Sequence, residues 1–282
     1  MKKTARLVGL LVVGVAVSAA QAPVVPTDHY GPPVCNAKPA PTARRMSVAK
    51  AVAIQEAGAA DPTALLSAEP MENFDVARYR IKDYAECVGG GGCYWADLDT
   101  QYKRAETALA AKVAAKKSGE KLAIVFDIDE TVLSKYCQMP VEDYGYLQAM
   151  DDAWTLSPEA AVLIPGALRL FNQAKAAGVA VFFITGRPGE PAKDVAHPRE
   201  NQRAATARNL EAAGFSGWTG LALKDGAENH MSTIEYKSLE RKKIVEKGYT
   251  IVMSVGDQWS DLSGEPHAQV SVKLPNPFYF LP

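Results

Sequence analysis

The fold is decided by residues 122–133, LAIVFDIDETVL, where an apolar segment runs into a group of acidic side chains. Residues 122–126 are apolar and end in Ile124, Val125 and Phe126, a composition typical of a buried strand. Asp127 and Asp129 follow directly, and in open α/β sheets ligands bind at the carboxyl ends of strands. Two carboxylates ~4 Å apart repel each other by about 4 kcal/mol at an effective dielectric near 20. We therefore expect a hard cation with oxygen ligands to share this site.

Apolar strands alternate with helical segments along the chain, which predicts a parallel sheet with helices on both faces. The predicted strands are residues 122–126, 179–184, 219–223, 250–255 and 268–274. The predicted helices are residues 43–58, 71–86, 94–117, 165–178, 198–213 and 233–247. Three of the strands end in polar side chains, at Asp127, Thr185 and Asp257. Because the carboxyl ends of parallel strands lie along one edge of a sheet, we expect these three residues to converge.

The composition is that of an ordinary globular protein. The 282 residues are 48% hydrophobic and 22% charged, which is enough for a sizeable core. The formal net charge is −1, and no polybasic run is present. This balance argues against a nucleic acid polymer or an anionic membrane surface as the partner.

The first residues have the pattern of an export signal. Lys2, Lys3 and Arg6 precede an apolar run over residues 7–17, which is too short to span a bilayer comfortably. Small residues follow, and we expect a signal peptide over residues 1–20, with an uncleaved anchor as the alternative. The mature protein would be periplasmic or secreted, without stable membrane insertion. Residues 21–42 are rich in proline and are interpreted as a linker.

The four cysteines are expected to form disulfides if the chain is exported. Cys87 and Cys93 flank a tetraglycine segment that would let them close a small loop. The other two are Cys35 and Cys137, and all three connectivities remain open at this stage. A zinc site is not expected, because neither a C-x-x-C motif nor a matching histidine pair is present.

Four short motifs occur in order, each at a predicted strand end or on a helix. They are DIDETVLS (residues 127–134), TGR (185–187), YKS (236–238) and GDQWSDL (256–262), and the tail reads KLPNPFY (273–279). This pattern resembles the haloacid dehalogenase (HAD) superfamily. More narrowly, it resembles the class B-like acid phosphatases of subfamily IIIB, which are related to plant vegetative storage proteins. The resemblance covers roughly residues 83–282.

The resemblance implies a Rossmann-like, HAD-like α/β core over residues 121–282, preceded by an N-terminal helical extension over residues 43–120. Residues 135–184 separate the first two motifs, which leaves room for a small insert instead of a large cap domain. The insert contains four aromatic side chains, Tyr136, Tyr144, Tyr146 and Trp154. These either stack on an aromatic leaving group such as a nucleobase or pack the insert against the core.

The resemblance also assigns the roles that phosphoryl transfer requires. Asp127 would be the nucleophile that forms an aspartyl-phosphate, and Asp129 the general acid and base. Substrate phosphate would be held by Thr185, Gly186, Arg187 and Lys237. Lys237 is preferred over Lys224 as the fixed positive charge, because it lies in the YKS motif. For Arg187, an ion pair with an acidic residue is an equal alternative to substrate binding.

The implied cofactor is Mg²⁺, which suits carboxylates, phosphate and water. Its ligands would be the side chains of Asp127 and Asp257 and the backbone carbonyl of Asp129. Asp261 would support the ion through water or orient the lysine, and a plain helix cap is the alternative.

The resulting hypothesis is an exported, Mg²⁺-dependent acid phosphatase that hydrolyses small phosphomonoesters. The alternatives are a 5′-nucleotidase or phosphotransferase using the same site, and a storage or binding protein on a phosphatase scaffold. An acidic pH optimum is expected if Asp129 must be protonated to act as an acid. The sequence does not indicate an oligomeric state.

Overall fold

The computed structural model describes residues 31–35, 46–60, 71–189 and 202–281. The expected signal peptide lies outside these residues, as does the proline-rich linker except for residues 31–35. The helices are α1 Val48–Ala59, α2 Phe74–Ala85, α3 Tyr94–Ala114, α4 Gln148–Leu156, α5 Pro165–Ala176, α6 Gln202–Ala212, α7 Thr233–Glu246 and α8 Trp259–Leu262. The strands are β1 Lys121–Phe126, β2 Ala180–Pro188, β3 Gly220–Lys224, β4 Tyr249–Gly256 and β5 Ser271–Lys273. Short 3₁₀ helices cover Pro158–Ala160 and Gly226–His230.

The five strands form one sheet in the order β3-β2-β1-β4-β5, and every neighbouring pair is parallel. The α/β fold predicted from the sequence is therefore confirmed. β1 lies at the centre of the sheet, and its side chains alternate between two cores. Ile124 and Phe126 point into the larger core, together with α3 and α5, whereas Val125 points into a smaller core against α7. Burial on both faces explains why β1 is a continuous apolar run rather than an alternating one.

The predicted elements are present with differences at their ends, and α4 and α8 lie where the sequence predicted no helix. β2 runs on to Pro188 instead of ending at Ile184, because Pro188 pairs with Lys224 after a register irregularity. Thr185, Gly186 and Arg187 are therefore part of the strand rather than of the loop after it. β5 covers only Ser271–Lys273 of the predicted 268–274, since its pairing with β4 is limited to these residues. α6 begins at Gln202 within the described residues, and the first part of its predicted range lies outside them.

The helices before the sheet are fastened to it by buried contacts. The Tyr102 hydroxyl on α3 donates a 2.5 Å hydrogen bond to the Thr131 carbonyl, and the Tyr94 hydroxyl donates to the Glu130 carboxylate. Two disulfides add covalent ties. Cys87 pairs with Cys93, the pairing that the tetraglycine segment would allow, and Cys35 pairs with Cys137. The second bond joins the segment 31–35 to the insert that follows β1. Within the described residues, no helix combines the length and the apolar character that crossing a bilayer requires.

α3 and α5 approach each other at a glycine, which provides a test of the packing. A Cβ added to Gly166 would lie 2.6 Å from Cβ of Tyr102, a distance that forces one helix to move. We expect Gly166→Ala to lower the free energy of unfolding by about 1–3 kcal/mol, as overpacked cores do. Urea denaturation followed by circular dichroism measures the change. Gly58→Ala on α1 is the matched control, because nothing lies within 4 Å of its added Cβ. Equal stability of the two variants would contradict this account of the helix contact.

Candidate active site

One cavity lies at the carboxyl edge of the sheet and encloses about 210 Å³. The ends of β1, β2 and β4 meet there with the first turns of α7 and α8. The sequence-predicted residues that line it are Asp127, Asp129, Thr185, Gly186, Arg187, Lys237, Asp257 and Asp261. The convergence expected from the strand ends is therefore observed. The cavity is lined entirely by residues from Asp127 onward, so within the described residues the N-terminal helices support the site without entering it.

Lys237 stands between two carboxylates. Its Nζ donates to Oδ1 of Asp127 at 2.5 Å and also to Oδ1 of Asp261, and all three side chains are buried. The two carboxylates outweigh the burial that would lower the pKa of Lys237, and the pKa is raised. The rival residue Lys224 lies elsewhere, because its ammonium donates to the Met231 carbonyl and is not part of the cavity wall. Lys237 is thus the lysine next to the predicted nucleophile.

Asp129 faces a second pair of cations. Arg187 donates to both of its carboxylate oxygens, through Nη2 at 2.8 Å and Nε at 3.0 Å. The ammonium of Lys135 lies 3.7 Å from Oδ1. Burial alone would raise the pKa of Asp129, but Arg187 and Lys135 outweigh it and hold the pKa well below its ordinary value. The ion-pair alternative for Arg187 is therefore observed, and the residue also lines the cavity.

The two aspartates of the first motif differ in their electrostatics. Burial raises the pKa of Asp127 to about 6, against the opposing effect of Lys237. Burial and the neighbouring carboxylates of Asp261 and Asp127 raise the pKa of Asp257 well above its ordinary value. A cluster that resists ionisation in this way is short of positive charge. The shortage is the physical reason to expect a cation here.

Three carboxylates are arranged to receive such a cation. Oxygen atoms of Asp127, Asp257 and Asp261 all lie within 4.8 Å of one another. Oxygen donors without nitrogen or sulfur suit a hard divalent ion. The Asp129 side chain is outside this group, in keeping with the expectation that only its backbone carbonyl would take part. Asp261 also accepts a 2.8 Å hydrogen bond from the Gln258 backbone N–H in a capping box at α8, so it orients the lysine and caps the helix as well.

Asp257 is oriented by residues to which the sequence reasoning gave no role. Its Oδ2 accepts hydrogen bonds from Nε2 of Gln258 at 2.6 Å and from Nδ2 of Asn276 at 2.7 Å. Gln258 also donates to the Tyr279 carbonyl and accepts from the Leu281 N–H. The C-terminal tail is thereby fixed beside the cavity. The signal available in the sequence was the asparagine in LPNPF, because a polar residue between two prolines is favoured in a fixed turn.

Thr185 is buried at the end of β2, where its hydroxyl accepts a 3.2 Å hydrogen bond from the Arg187 N–H. Gly186 follows it in the cavity wall. The predicted phosphate-binding residues thus lie on the side of the cavity next to Asp127 and Asp129.

Comparison with known proteins identifies the family. The model of HAD superfamily subfamily IIIB (acid phosphatase) matches residues 44–282. The chain belongs to this subfamily. The resemblance drawn from the motifs is confirmed, and it extends further toward the N-terminus than residue 83.

Named relatives of this subfamily IIIB protein come from plants. Acid phosphatase 1 of Solanum lycopersicum is 36% identical over 56% of this chain and 58% of its own length. Stem 31 kDa glycoprotein of Glycine max is 34% identical over 56% and 59%. Vegetative storage protein 2 of Arabidopsis thaliana is 32% identical over 74% and 75%. The chain thus spans less than two thirds of the first two relatives.

A solved structure shares the fold. The class C acid phosphatase of Bacillus anthracis superposes with a TM-score of 0.54 over 73% of this chain and 87% of that one, at 24% identity. The two chains therefore share an α/β fold.

Sequence reasoning missed one side of the subfamily IIIB cavity. Lys135, Asp151 and Tyr279 line it, although none belongs to the predicted set. Of the four aromatic residues in the insert, Tyr136, Tyr144 and Trp154 are buried in the core, as the packing alternative predicted. Tyr146 lines the cavity, with its ring 5.8 Å from that of Tyr279.

Glu130 is a buried residue of the first motif. Its ionisation makes the free energy of unfolding depend on pH. It is fully buried, and burial raises its pKa to about 7 from an ordinary 4.5. Between these values the unfolded chain has released the proton that the folded protein retains. Stability from this group is therefore fully present below about pH 4.5 and falls as pH rises toward 7, by about 3 kcal/mol.

We expect Glu130→Gln to lose less stability than the wild type between pH 4.5 and 7.5, because the variant has no carboxyl to ionise. Urea denaturation at each pH, with chelator present, measures this slope. Glu159→Gln changes an exposed glutamate and should keep the slope of the wild type. A Glu130→Gln slope equal to that of the wild type would contradict the assignment.

Proposed function

We propose that this protein is an exported, Mg²⁺-dependent acid phosphatase that hydrolyses small phosphomonoesters through an aspartyl-phosphate. The proposal rests above all on one observation. Asp127 and Asp129 line the same cavity but are held by different cations, Asp127 by Lys237 and Asp129 by Arg187. That separation allows one carboxylate to act on phosphorus while the other handles protons.

In the first half-reaction an Asp127 carboxylate oxygen attacks phosphorus, and the bond from phosphorus to the ester oxygen breaks. Asp129 gives its proton to the departing oxygen, so that a neutral alcohol leaves. Lys237 holds Asp127 in place and opposes the burial that favours its protonated form. Thr185, Gly186 and Arg187 are proposed to hold the non-bridging phosphate oxygens, with Lys237 contributing positive charge.

In the second half-reaction a water molecule attacks the phosphorus of the aspartyl-phosphate. Asp129, now ionised, accepts the proton of this water, and the bond between phosphorus and the Asp127 oxygen breaks. Inorganic phosphate and the original carboxylate are restored. The low pKa of Asp129 keeps it ionised in this step, so that the carboxylate is available to accept the proton. In the first step the same low pKa makes the reaction depend on acid, which supports an acidic optimum.

The carboxylates of Asp127 and Asp257 would hold Mg²⁺ with the Asp129 carbonyl, and Asp261 would lie behind them. When bound, the ion would offset the negative charge that the carboxylates and a phosphate dianion share. Gln258 and Asn276 would orient Asp257 toward it.

Export is supported by the basic and apolar start of the chain and by the two disulfides, which persist in oxidising compartments. We propose the same division of the chain as the sequence indicated. A signal peptide covers residues 1–20, a linker 21–42, a helical extension 43–120 and the phosphatase core 121–282.

The nucleophile is tested by Asp127→Asn in the purified mature protein. We expect Mg²⁺-dependent phosphate release from a chromogenic ester to fall by at least about 1,000-fold, because the amide is a far weaker nucleophile. Asp97→Asn, an exposed aspartate on α3 that bonds Tyr84, is the control and should keep its activity. Release by Asp127→Asn at a rate near that of the wild type would contradict the mechanism.

A storage or binding role is the competing function, in view of the vegetative storage protein among the relatives. It predicts that the wild type itself releases no phosphate with or without chelator.

A 5′-nucleotidase or phosphotransferase would use the same residues. Nucleoside monophosphates as substrates and an added alcohol acceptor, with analysis of the products, distinguish these from the simple hydrolase.

The acid role of Asp129 is tested through Arg187. In Arg187→Met the guanidinium that lowers the pKa of Asp129 is gone, so that pKa rises. Because Asp129 gives a proton only when protonated, the fall of kcat with rising pH should move to higher pH. A pH profile of kcat measures the pH at which this fall occurs. That pH can be read whatever the maximal kcat of the variant is.

Arg203→Met removes a half-exposed arginine outside the cavity and is the matched control. In this variant kcat should fall at the same pH as in the wild type. If kcat of Arg187→Met falls at the same pH as that of the wild type, or at a lower pH, the role given to Asp129 is contradicted.

A further inference from the structure

One helix contributes four side chains to the cavity wall. Gln148, Asp151, Asp152 and Thr155 all line the cavity from α4. Their spacing is i, i+3, i+4 and i+7, which places them on one face of the helix. The mechanism proposed above uses none of the four. A leaving alcohol attached to phosphate at Asp127 would lie against this face.

Gln202, at the start of α6, is also part of this wall and has an unused acceptor. It is fully buried and lines the cavity, and its Nε2 donates a 2.8 Å hydrogen bond to the Thr155 hydroxyl. Thr155 gives its own proton to the Asp152 carbonyl at 3.0 Å, so the group facing its oxygen must be the amide NH₂. Oε1 of Gln202 is buried, and no described residue donates to it. Because a buried carbonyl without a donor is unfavourable, a donor on a ligand would satisfy it.

Asp152 provides a second acceptor. It accepts a 2.8 Å hydrogen bond from Nε2 of Gln148, and the ion pairs of the described residues include none to this carboxylate. We call Asp152 and Gln202 the acceptor wall, with Gln148 and Thr155 as the residues that hold them.

The cations around the cavity are already engaged. Lys135 is paired with Asp151, and Arg187 and Lys237 are held by Asp129 and Asp127. No other lysine or arginine among the described residues lines the cavity. A leaving alcohol with a second negative charge would thus meet Asp152 without a free cation to balance it. Hydroxyl groups, by contrast, would find two acceptors.

We propose that the acceptor wall binds hydroxyl groups of the leaving alcohol and makes the enzyme selective for monoesters of short polyols. This inference rests on the proposed phosphatase function and deepens it. The volume of about 210 Å³ supports a small alcohol, since it lies below the roughly 300–1,000 Å³ of pockets for drug-sized ligands.

Three esters with the same number of carbon atoms test the selectivity. Glycerol 3-phosphate offers two hydroxyls, n-propyl phosphate offers none, and 3-phosphoglycerate replaces the terminal hydroxyl with a carboxylate. We expect kcat/KM for glycerol 3-phosphate to exceed that for each of the other two by about tenfold, the factor that corresponds to 1.4 kcal/mol. Equal values for glycerol 3-phosphate and n-propyl phosphate would overturn the proposal.

Gln202→Leu tests the buried acceptor. The preference for glycerol 3-phosphate over n-propyl phosphate should fall to about twofold or less, since Leu cannot accept the hydrogen bond. Gln173→Leu is the matched control. Gln173 also has a buried Oε1 without a partner, while its amide donates to the Glu106 carbonyl, away from the cavity. It should keep the preference of the wild type, and an equal loss in both variants would overturn the assignment.

Asp152→Asn provides a second test that does not depend on how Gln202→Leu folds. Removing the negative charge should raise kcat/KM for 3-phosphoglycerate relative to glycerol 3-phosphate by several-fold. An unchanged ratio would contradict the role given to the acceptor wall.

Failure of the proposed function and failure of this inference give different results. If no ester is hydrolysed in the presence of Mg²⁺, the proposed function falls and this inference with it. If all three are hydrolysed equally well, only this inference falls.

Discussion

The site depends on burying lysine and arginine between carboxylates. Lys237 lies between Asp127 and Asp261, and Arg187 with Lys135 surrounds Asp129. Each cation is removed from water, which is unfavourable unless opposite charges and hydrogen bonds surround it. In this site the carboxylates supply both. The consequence is that neither aspartate of the first motif can move or titrate independently of its cation, which gives the two residues different chemistry although one residue separates them.

This arrangement requires a rigid support, which the helices before the sheet supply. The Glu130 backbone is in the left-handed region, with φ of +53°, a conformation that favours glycine. Its side chain offsets that strain by accepting hydrogen bonds from Tyr94, Ser134 and the Lys135 N–H. Tyr102 holds the next carbonyl. α3 thereby supports the turn that carries Asp127 and Asp129, although no residue of α3 lines the cavity.

The sequence predicted the sheet and the motif residues because each lies within a local pattern. Apolar runs identify the strands, and acidic or polar residues at their ends converge through parallel topology alone. Lys135, Asn276 and Gln202 escaped prediction for a physical reason. Their side chains reach the site through packing of the insert, the tail and α6, which no local periodicity records. The extension of β2 through Arg187 escaped as well, because it depends on pairing with Lys224 in a distant segment.

The two halves of the cavity are built on different kinds of support. The residues proposed to act on phosphate lie at strand ends and on α7 and α8, where sheet register fixes them. The acceptor wall lies on α4 and at the start of α6, and α4 belongs to the insert that Trp154 packs against the core. A change in α4 can therefore alter the alcohol that fits without disturbing the sheet. Chains of one family can then keep the strand-end residues and differ in the leaving group they accept, because the two sets share only a cavity and no secondary-structure element.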